Sequence, residues 1–218
     1  MLNLLTNSFN QITKNFNRIS VLLILVFLFF SCTENKIKKI DTNILKSSTN
    51  KTLNLWLNNY IKVDKNFSLD NFNFFSEDTI SFIEGNVFGK FDNEFNPVYL
   101  PFLIYSKNKQ KYIDIDSYKW TVDEDNEIIF SADQEIDLVD LQNKTVTRIG
   151  FEGPSQWVEE AYWESDSVVV LLENNYENIP VIAKLNINNG LVKIYRYNSV
   201  IDTEVYYPEK RITEKIQI

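Results

Sequence analysis

The sequence predicts a mainly β protein: antiparallel β-meanders in about three units of ~44 residues, preceded by one short amphipathic helix. Three observations carry this reading. Residues 52–62 place apolar side chains at helical spacing, whereas from residue 67 onward short β-rich runs replace that periodicity. Those runs then recur with a similar order of aromatic, acidic turn and apolar strand.

The helix is predicted over "TLNLWLNNYIK", where Leu53, Trp56, Leu57, Tyr60 and Ile61 stand at i, i+3, i+4, i+7 and i+8 and so share one face. This face is expected to pack onto the domain. Strands are predicted at 98–105, 127–130, 135–141, 168–172, 181–187 and 191–197. With 5 Gly and 5 Pro in 218 residues, the turns between them must come largely from Asn, Asp and Ser, which bond to their own main chain.

The repeat is visible when "FSEDTISFI", "WTVDEDNEIIF" and "WESDSVVVLL" are aligned on Phe75, Trp120 and Trp163, which lie 45 and 43 residues apart. Asp78, Asp123 and Asp166 occupy the acidic turns. The later halves also correspond: "EIDLVDLQNKTVTRIGF" and "PVIAKLNINNGLVKIYRY" both read as strand, tight turn and strand, and "VYLPFLIYSKNKQKYIDI" is their counterpart in the first unit. This period resembles that of β-propeller blades of the WD type and related bacterial propellers, in which an aromatic-x-x-Asp turn precedes a strand. The resemblance spans about 75–197 and implies a propeller-like set of blades; a plain β-sandwich accounts for the same hairpins. The tail, with Pro208 ahead of Ile212, Ile216 and Ile218, is expected to add an edge strand guarded by Lys210, Arg211 and Lys215.

Composition removes several chemistries. The chain has no His and one Cys, so triads built on His, His-bearing zinc sites, internal disulfides and thiolate clusters are excluded. No cofactor is expected. Carboxylates, Lys, Tyr, Ser and Thr remain. The first 31 residues contain Lys14 and Arg18 and no acid, so the remainder carries 20 basic against 30 acidic side chains and a net charge of −10. Such a surface repels phosphate backbones, which argues against nucleic acid as a partner.

The single cysteine has an informative neighbourhood. A polar stretch with those two positive charges precedes "VLLILVFLFF" at 21–30, and then come Ser31 and Cys32. Ten helical residues reach only ~15 Å, half of a bilayer's hydrocarbon thickness, so the run is too short to span. Charged, apolar and small-residue regions follow in the order of an export signal. Phe29, Phe30, Ser31 and Cys32 resemble the lipobox of bacterial lipoprotein precursors. That resemblance implies a signal peptide over 1–31, lipid on Cys32 as the first mature residue, and, from Thr33 at the next position, retention at the outer membrane. Residues 32–51 then read as a lipidated tether whose Lys36, Lys38 and Lys39 are within reach of headgroups, and 52–218 as a single β-rich envelope domain.

Among candidate sites, "QWVEEAYW" is the densest in aromatic and acidic residues. Strict alternation would put Trp157, Glu159, Ala161 and Trp163 on one face, where Trp157, Glu159 and Trp163 form a stacking platform for a sugar or peptide, or else an aromatic anchor of the third repeat. Asp114 and Asp116 share a face if 112–117 is extended. Asp123, Asp125 and Glu127 have the spacing of a calcium loop, but Ile128 replaces its Gly and Gln134 its final Glu, which favours an acidic turn. The expectation is therefore a lipid-anchored, non-catalytic envelope module that binds a partner protein or glycan, the alternative being a carboxylate-dependent, glycan-directed enzyme.

Overall fold

The computed structural model describes residues 50–203 and 206–216; the expected signal segment, Cys32 and nearly all of the expected tether lie outside the described residues. The first element is helix α1 (Lys51–Ile61), whose N-terminus is capped by Asn50: its Oδ1 accepts from the Leu53 N–H at 3.0 Å. It buries Leu53, Trp56 and Tyr60, while Ile61 at the edge of that face is 38% exposed.

Twelve strands follow: β1 (Phe72–Thr79), β2 (Ile83–Glu84), β3 (Ile104–Tyr105), β4 (Lys111–Asp114), β5 (Trp120–Val122), β6 (Ile128–Phe130), β7 (Gln134–Asp140), β8 (Thr145–Glu152), β9 (Gln156–Ser165), β10 (Val168–Asn175), β11 (Val181–Asn186) and β12 (Leu191–Tyr197). Every strand pairing is antiparallel. One five-stranded sheet runs β1-β12-β11-β10-β9, a second runs β2-β8-β7-β4-β3, and β5 with β6 forms a separate ribbon. Helix α2 (Tyr207–Lys215) closes the described chain.

Side-chain alternation explains the layering. Val169 and Leu171 on β10, with Ala183 and Leu185 on β11, point to one face of the first sheet and meet Ile113, Ile136 and Ile149 of the second. Val170, Leu172 and Ile182 point to the other face and meet Leu53, Trp56 and Tyr60 of α1 together with Phe67 and Phe72. The first sheet is thus a middle layer between the second sheet and α1, which is why β10 reads as a continuous apolar run and not as an alternating one. The outer face of the second sheet is covered by its own loop residues around Leu103, Tyr112 and Val139. A fourth cluster joins Tyr99, Phe102 and Trp120 to Ile212 of α2. All four cores close among residues 50–216, inside the compact unit Lys38–Ile218, so this unit carries its own hydrophobic interior.

The repeat does not become three equivalent blades, and the described residues form no closed barrel or propeller. Strands β9 to β12 make one uninterrupted meander, but their counterparts β5 to β8 are divided between two sheets. The division falls at 131–133, where the Lys119 ammonium donates to the carbonyls of Ser131 and Ala132 and the chain turns from the ribbon into β7. Phe75 lies inside β1, as the extra residue where the pairing with β12 shifts register between Phe74 and Ser76, and opens no turn.

Two further expectations are corrected. Residues 97–102 form a 3-10 helix with Pro97 and Pro101, capped by Asn96, so the expected strand at 98–105 shrinks to β3. Two prolines cannot supply the ladder's N–H donors. The tail is α2 and not an edge strand: Pro208 sits in its first turn, Glu209 is also there, and Lys215 is in its last turn, as helix ends favour. Arg211, expected to guard an edge, is buried.

Candidate functional site

The "QWVEEAYW" stretch is β9, an edge strand, and two bulges break its alternation. Val158 pairs with Glu173 and Glu160 with Leu172, which leaves Glu159 as the extra residue of the first bulge; Glu164 is extra in the second. The consequence is a split of the expected platform. Trp157 and Glu159 face the helices, whereas Ala161 and Trp163 face the sandwich interior. Glu160 and Tyr162 join Glu159 on the helix side. Trp163 is partly buried and donates its indole N–H to the Ile104 carbonyl at 2.8 Å, tying β9 to the edge of the second sheet.

Glu159 is enclosed by aromatics. Its Oε2 accepts from the Trp56 indole and from the Tyr60 hydroxyl, each at 2.7 Å, and Asn174 donates in turn to the Tyr60 oxygen at 2.9 Å. Burial pushes its carboxyl from the ordinary 4.5 up to about 7, against the pull of these donors. Burial likewise raises Tyr60, with the Glu159 charge adding to the effect.

Glu160, one residue on, belongs to a network that seats α2. Arg211 grips Asp116 with its two terminal nitrogens, Nη1 at 3.0 Å and Nη2 at 2.6 Å, and the Trp120 indole donates to the same carboxylate at 2.9 Å. Burial raises the Glu160 carboxyl while Arg211 and Lys215 draw it back. Asp116 is therefore held as an ion-pair partner of Arg211. Asp114 accepts from the Ser117 hydroxyl at 2.6 Å and from two backbone N–H groups. In the loop at 123–126, Asp123 Oδ1 accepts from the backbone of Asp125 and Glu127, which makes an acidic turn; among the described residues no three His, Cys, Asp or Glu side chains are placed to hold a metal.

Other carboxylates are also sequestered. Asp137 sits opposite Asp114 and beside Glu135, and burial, followed by the Glu135 charge, pushes it up to about 9. Both effects favour its neutral form. Burial opposes ionisation of Glu135 too, yet the backbone and side-chain donors of Asn86 hold it below its usual range. Glu152 rises to about 7 by burial alone, and Glu173 rises by burial and the nearby Glu152 charge.

These shifts give stability an unusual pH dependence. An acid with a raised folded-state pKa binds more protons when folded than unfolded, so stability falls as pH climbs from the unfolded value to the folded one. For Glu159 that window is about 4.5 to 7, worth up to about 3 kcal/mol. Urea denaturation should show greater stability at pH 5 than at pH 8. Glu159→Gln, which keeps an acceptor but no charge, should remove that part of the slope; parallel wild-type and variant curves would refute the assignment.

Two clefts flank Glu160. One, of about 510 Å³, runs along the meeting edges of β3 and β9 and is lined by residues 101–105, Lys107, residues 160–165, Thr52 and Lys215. The other, of about 570 Å³, lies between α1 and α2. Both fall in the range that receives a sugar unit or a short peptide. The first is the candidate site, because it joins an edge strand, whose outer row of N–H and C=O groups has no strand beside it in the sheet, to Trp163, Tyr105, the charge of Lys107 and the Glu164–Lys184 ion pair. Of the sequence-predicted residues it contains Trp163 alone. Glu159 lies under α1, and Trp157 packs against Tyr206 with ring centres 5.5 Å apart. Tyr105 is not singled out by the sequence, Glu160 enters only as part of the acidic stretch, and Lys215 only as a guard of the expected edge strand; the spacing of Arg211 and Lys215, one helical turn apart, is the available signal.

In class, then, this is a mainly β protein of three antiparallel sheets, two of them packed face to face, with a helical outer layer and an edge-strand groove. No protein-family model, curated protein or solved structure matches the chain.

Proposed function

We propose that this chain is a lipid-anchored, non-catalytic module of the bacterial cell envelope, held at the outer membrane through Cys32, that binds a partner protein or glycan in the groove between β3 and β9. The groove is the observation that supports the binding role: an edge strand is a template for an extended peptide, and a partly buried Trp beside charged side chains suits a sugar face. The anchor rests on the order of positive charges, "VLLILVFLFF", Ser31 and Cys32. Non-catalytic binding is supported by the absence of His and by the engagement of Asp116 with Arg211 and of Asp114 with Ser117.

Two measurements test the two halves. Cys32→Ser should release the protein from the membrane fraction and block processing; normal processing and retention would overturn the anchor. A photo-crosslinker at Lys107 should capture the same partner in repeated preparations, and Glu164→Lys should reduce that capture at least about tenfold if the rim charge steers recognition. Hydrolysis of an envelope glycan by the purified Lys38–Ile218 unit, abolished by Glu160→Gln, would instead favour a glycan-directed enzyme.

A further inference from the structure

We propose that the cleft between α1 and α2 is a docking surface for an anionic lipid headgroup layer, which lays the domain on the membrane with these two helices facing down. The orientation part of this inference rests on the anchor at Cys32. Helix α1 and the turn after it expose Leu55, Ile61 and Val63 among Lys51, Lys62 and Lys65; the one acid in 51–65 is Asp64, which accepts from the Asn66 N–H and the Tyr197 hydroxyl. Across the cleft, α2 contributes Lys210 and Lys215. Of the acids lining this cleft, Glu160 is buried beneath α2 and Glu214 is exposed. Arg211 is committed to Asp116 and takes no part in the outward charge. A chain whose expected mature portion carries −10 thus places Lys51, Lys62, Lys65, Lys210 and Lys215 beside apolar side chains on these two helices and the turn after α1, with Lys210 also donating to Asn59 at 3.1 Å and Lys215 set over the Phe102 ring.

That combination suits the interface of a bilayer. Ammonium groups meet lipid phosphates, each contributing about fivefold in partitioning near an anionic surface, while Leu55, Ile61 and Val63 reach the acyl boundary. Position agrees with chemistry. Asn50, which caps α1, is 18 residues beyond Cys32, so even a fully extended connection reaches no more than about 65 Å. A lipid on Cys32 would hold this face at high local concentration over the membrane, so that a weak surface suffices.

The test uses the Lys38–Ile218 unit, which lacks Cys32 and carries all four cores, so its outcome is independent of whether Cys32 is lipidated. Vesicles of phosphatidylcholine with about 30 mol% phosphatidylglycerol should sediment it at least about tenfold more than neutral vesicles, and about 0.5 M NaCl should reverse most of the difference. Lys62→Glu with Lys210→Glu should cut the anionic binding a further tenfold or more with an unchanged circular dichroism spectrum. Inorganic phosphate at matched ionic strength should not compete; competition would point to a free-phosphate site and overturn the membrane assignment. Equal binding to both vesicle types, no binding at millimolar lipid, or an unaffected double variant would also overturn it and leave the face to a protein or glycan partner.

Discussion

Arg211→Ala is expected to destabilise the fold by about 3–5 kcal/mol, lowering the melting temperature by roughly 10–15 °C. Arg211 and Asp116 retain 5% and 1% side-chain exposure, and their two contacts of 3.0 and 2.6 Å replace the water both ions gave up on folding. Removing the guanidinium leaves Asp116 buried with the Trp120 indole as its remaining side-chain donor in the network. The neighbouring Glu160 simultaneously loses the cation that draws its raised carboxyl back. Both effects fall on the seat of α2, where Ile212 packs against Phe102 and Trp120. A double variant, Asp116→Asn with Arg211→Met, should cost less than Arg211→Ala alone, because neither charge is then stranded. Thermal and urea unfolding of the three variants check this. A loss below about 1 kcal/mol for Arg211→Ala would show that water reaches the pair and that the ion pair does not anchor α2.

Trp56→Ala is expected to cost about as much, roughly 3–5 kcal/mol, for a different reason. The indole is fully buried, with ring centres 4.9 Å from Tyr60, 5.6 Å from Phe67 and 6.1 Å from Phe72, and it joins α1 to the middle sheet. Its truncation opens a cavity among these rings and also removes a donor from Glu159. Trp56→Phe separates the two contributions. The ring largely refills the space, so the remaining loss, about 1–3 kcal/mol, reports the missing N–H. With that donor gone the Glu159 carboxyl should titrate higher still, which tryptophan-independent probes such as carboxyl NMR resonances can follow. A Trp56→Phe variant as stable as wild type at pH 8, with Glu159 unmoved, would mean the carboxylate does not depend on the indole.

Much of the β architecture was legible because strand signals are local. The runs at 135–141, 181–187 and 191–197 emerge as β7, β11 and β12 within a residue or two, and the turns at 143–145 and 188–190 close the β7–β8 and β11–β12 hairpins with Lys144 and Gly190 at positive φ. The failures are equally particular. The expected strand at 98–105 ignored what Pro97 and Pro101 do to a ladder, and the tail's spaced isoleucines hid a helix whose Pro208, Glu209 and Lys215 were already in helical order. The repeat was a repeat of hairpins. How hairpins distribute between sheets depends on where the chain turns after each, and 131–133 sends β7 away from the ribbon.

The candidate site was less legible, for one physical reason. Alternation across a strand holds only while each residue has one partner, and the extra residue Glu159 shifts everything after it to the opposite face. A stretch that alternates cleanly on paper thus sends Trp157 under the helices and Trp163 toward the sandwich interior.

The sequence by itself determined which chemistries are impossible, since no fold can supply the missing His or a second Cys, and it determined a mainly antiparallel β architecture, since period-two patterning and Asn- and Asp-rich turns act over a few residues. Only the tertiary structure decided which of thirty acids are buried, which are paired, and which line a cleft. Desolvation and partner geometry are properties of residues distant in the chain: Glu159 meets Trp56 across 103 positions and Asp116 meets Arg211 across 95, distances over which composition and spacing carry no information.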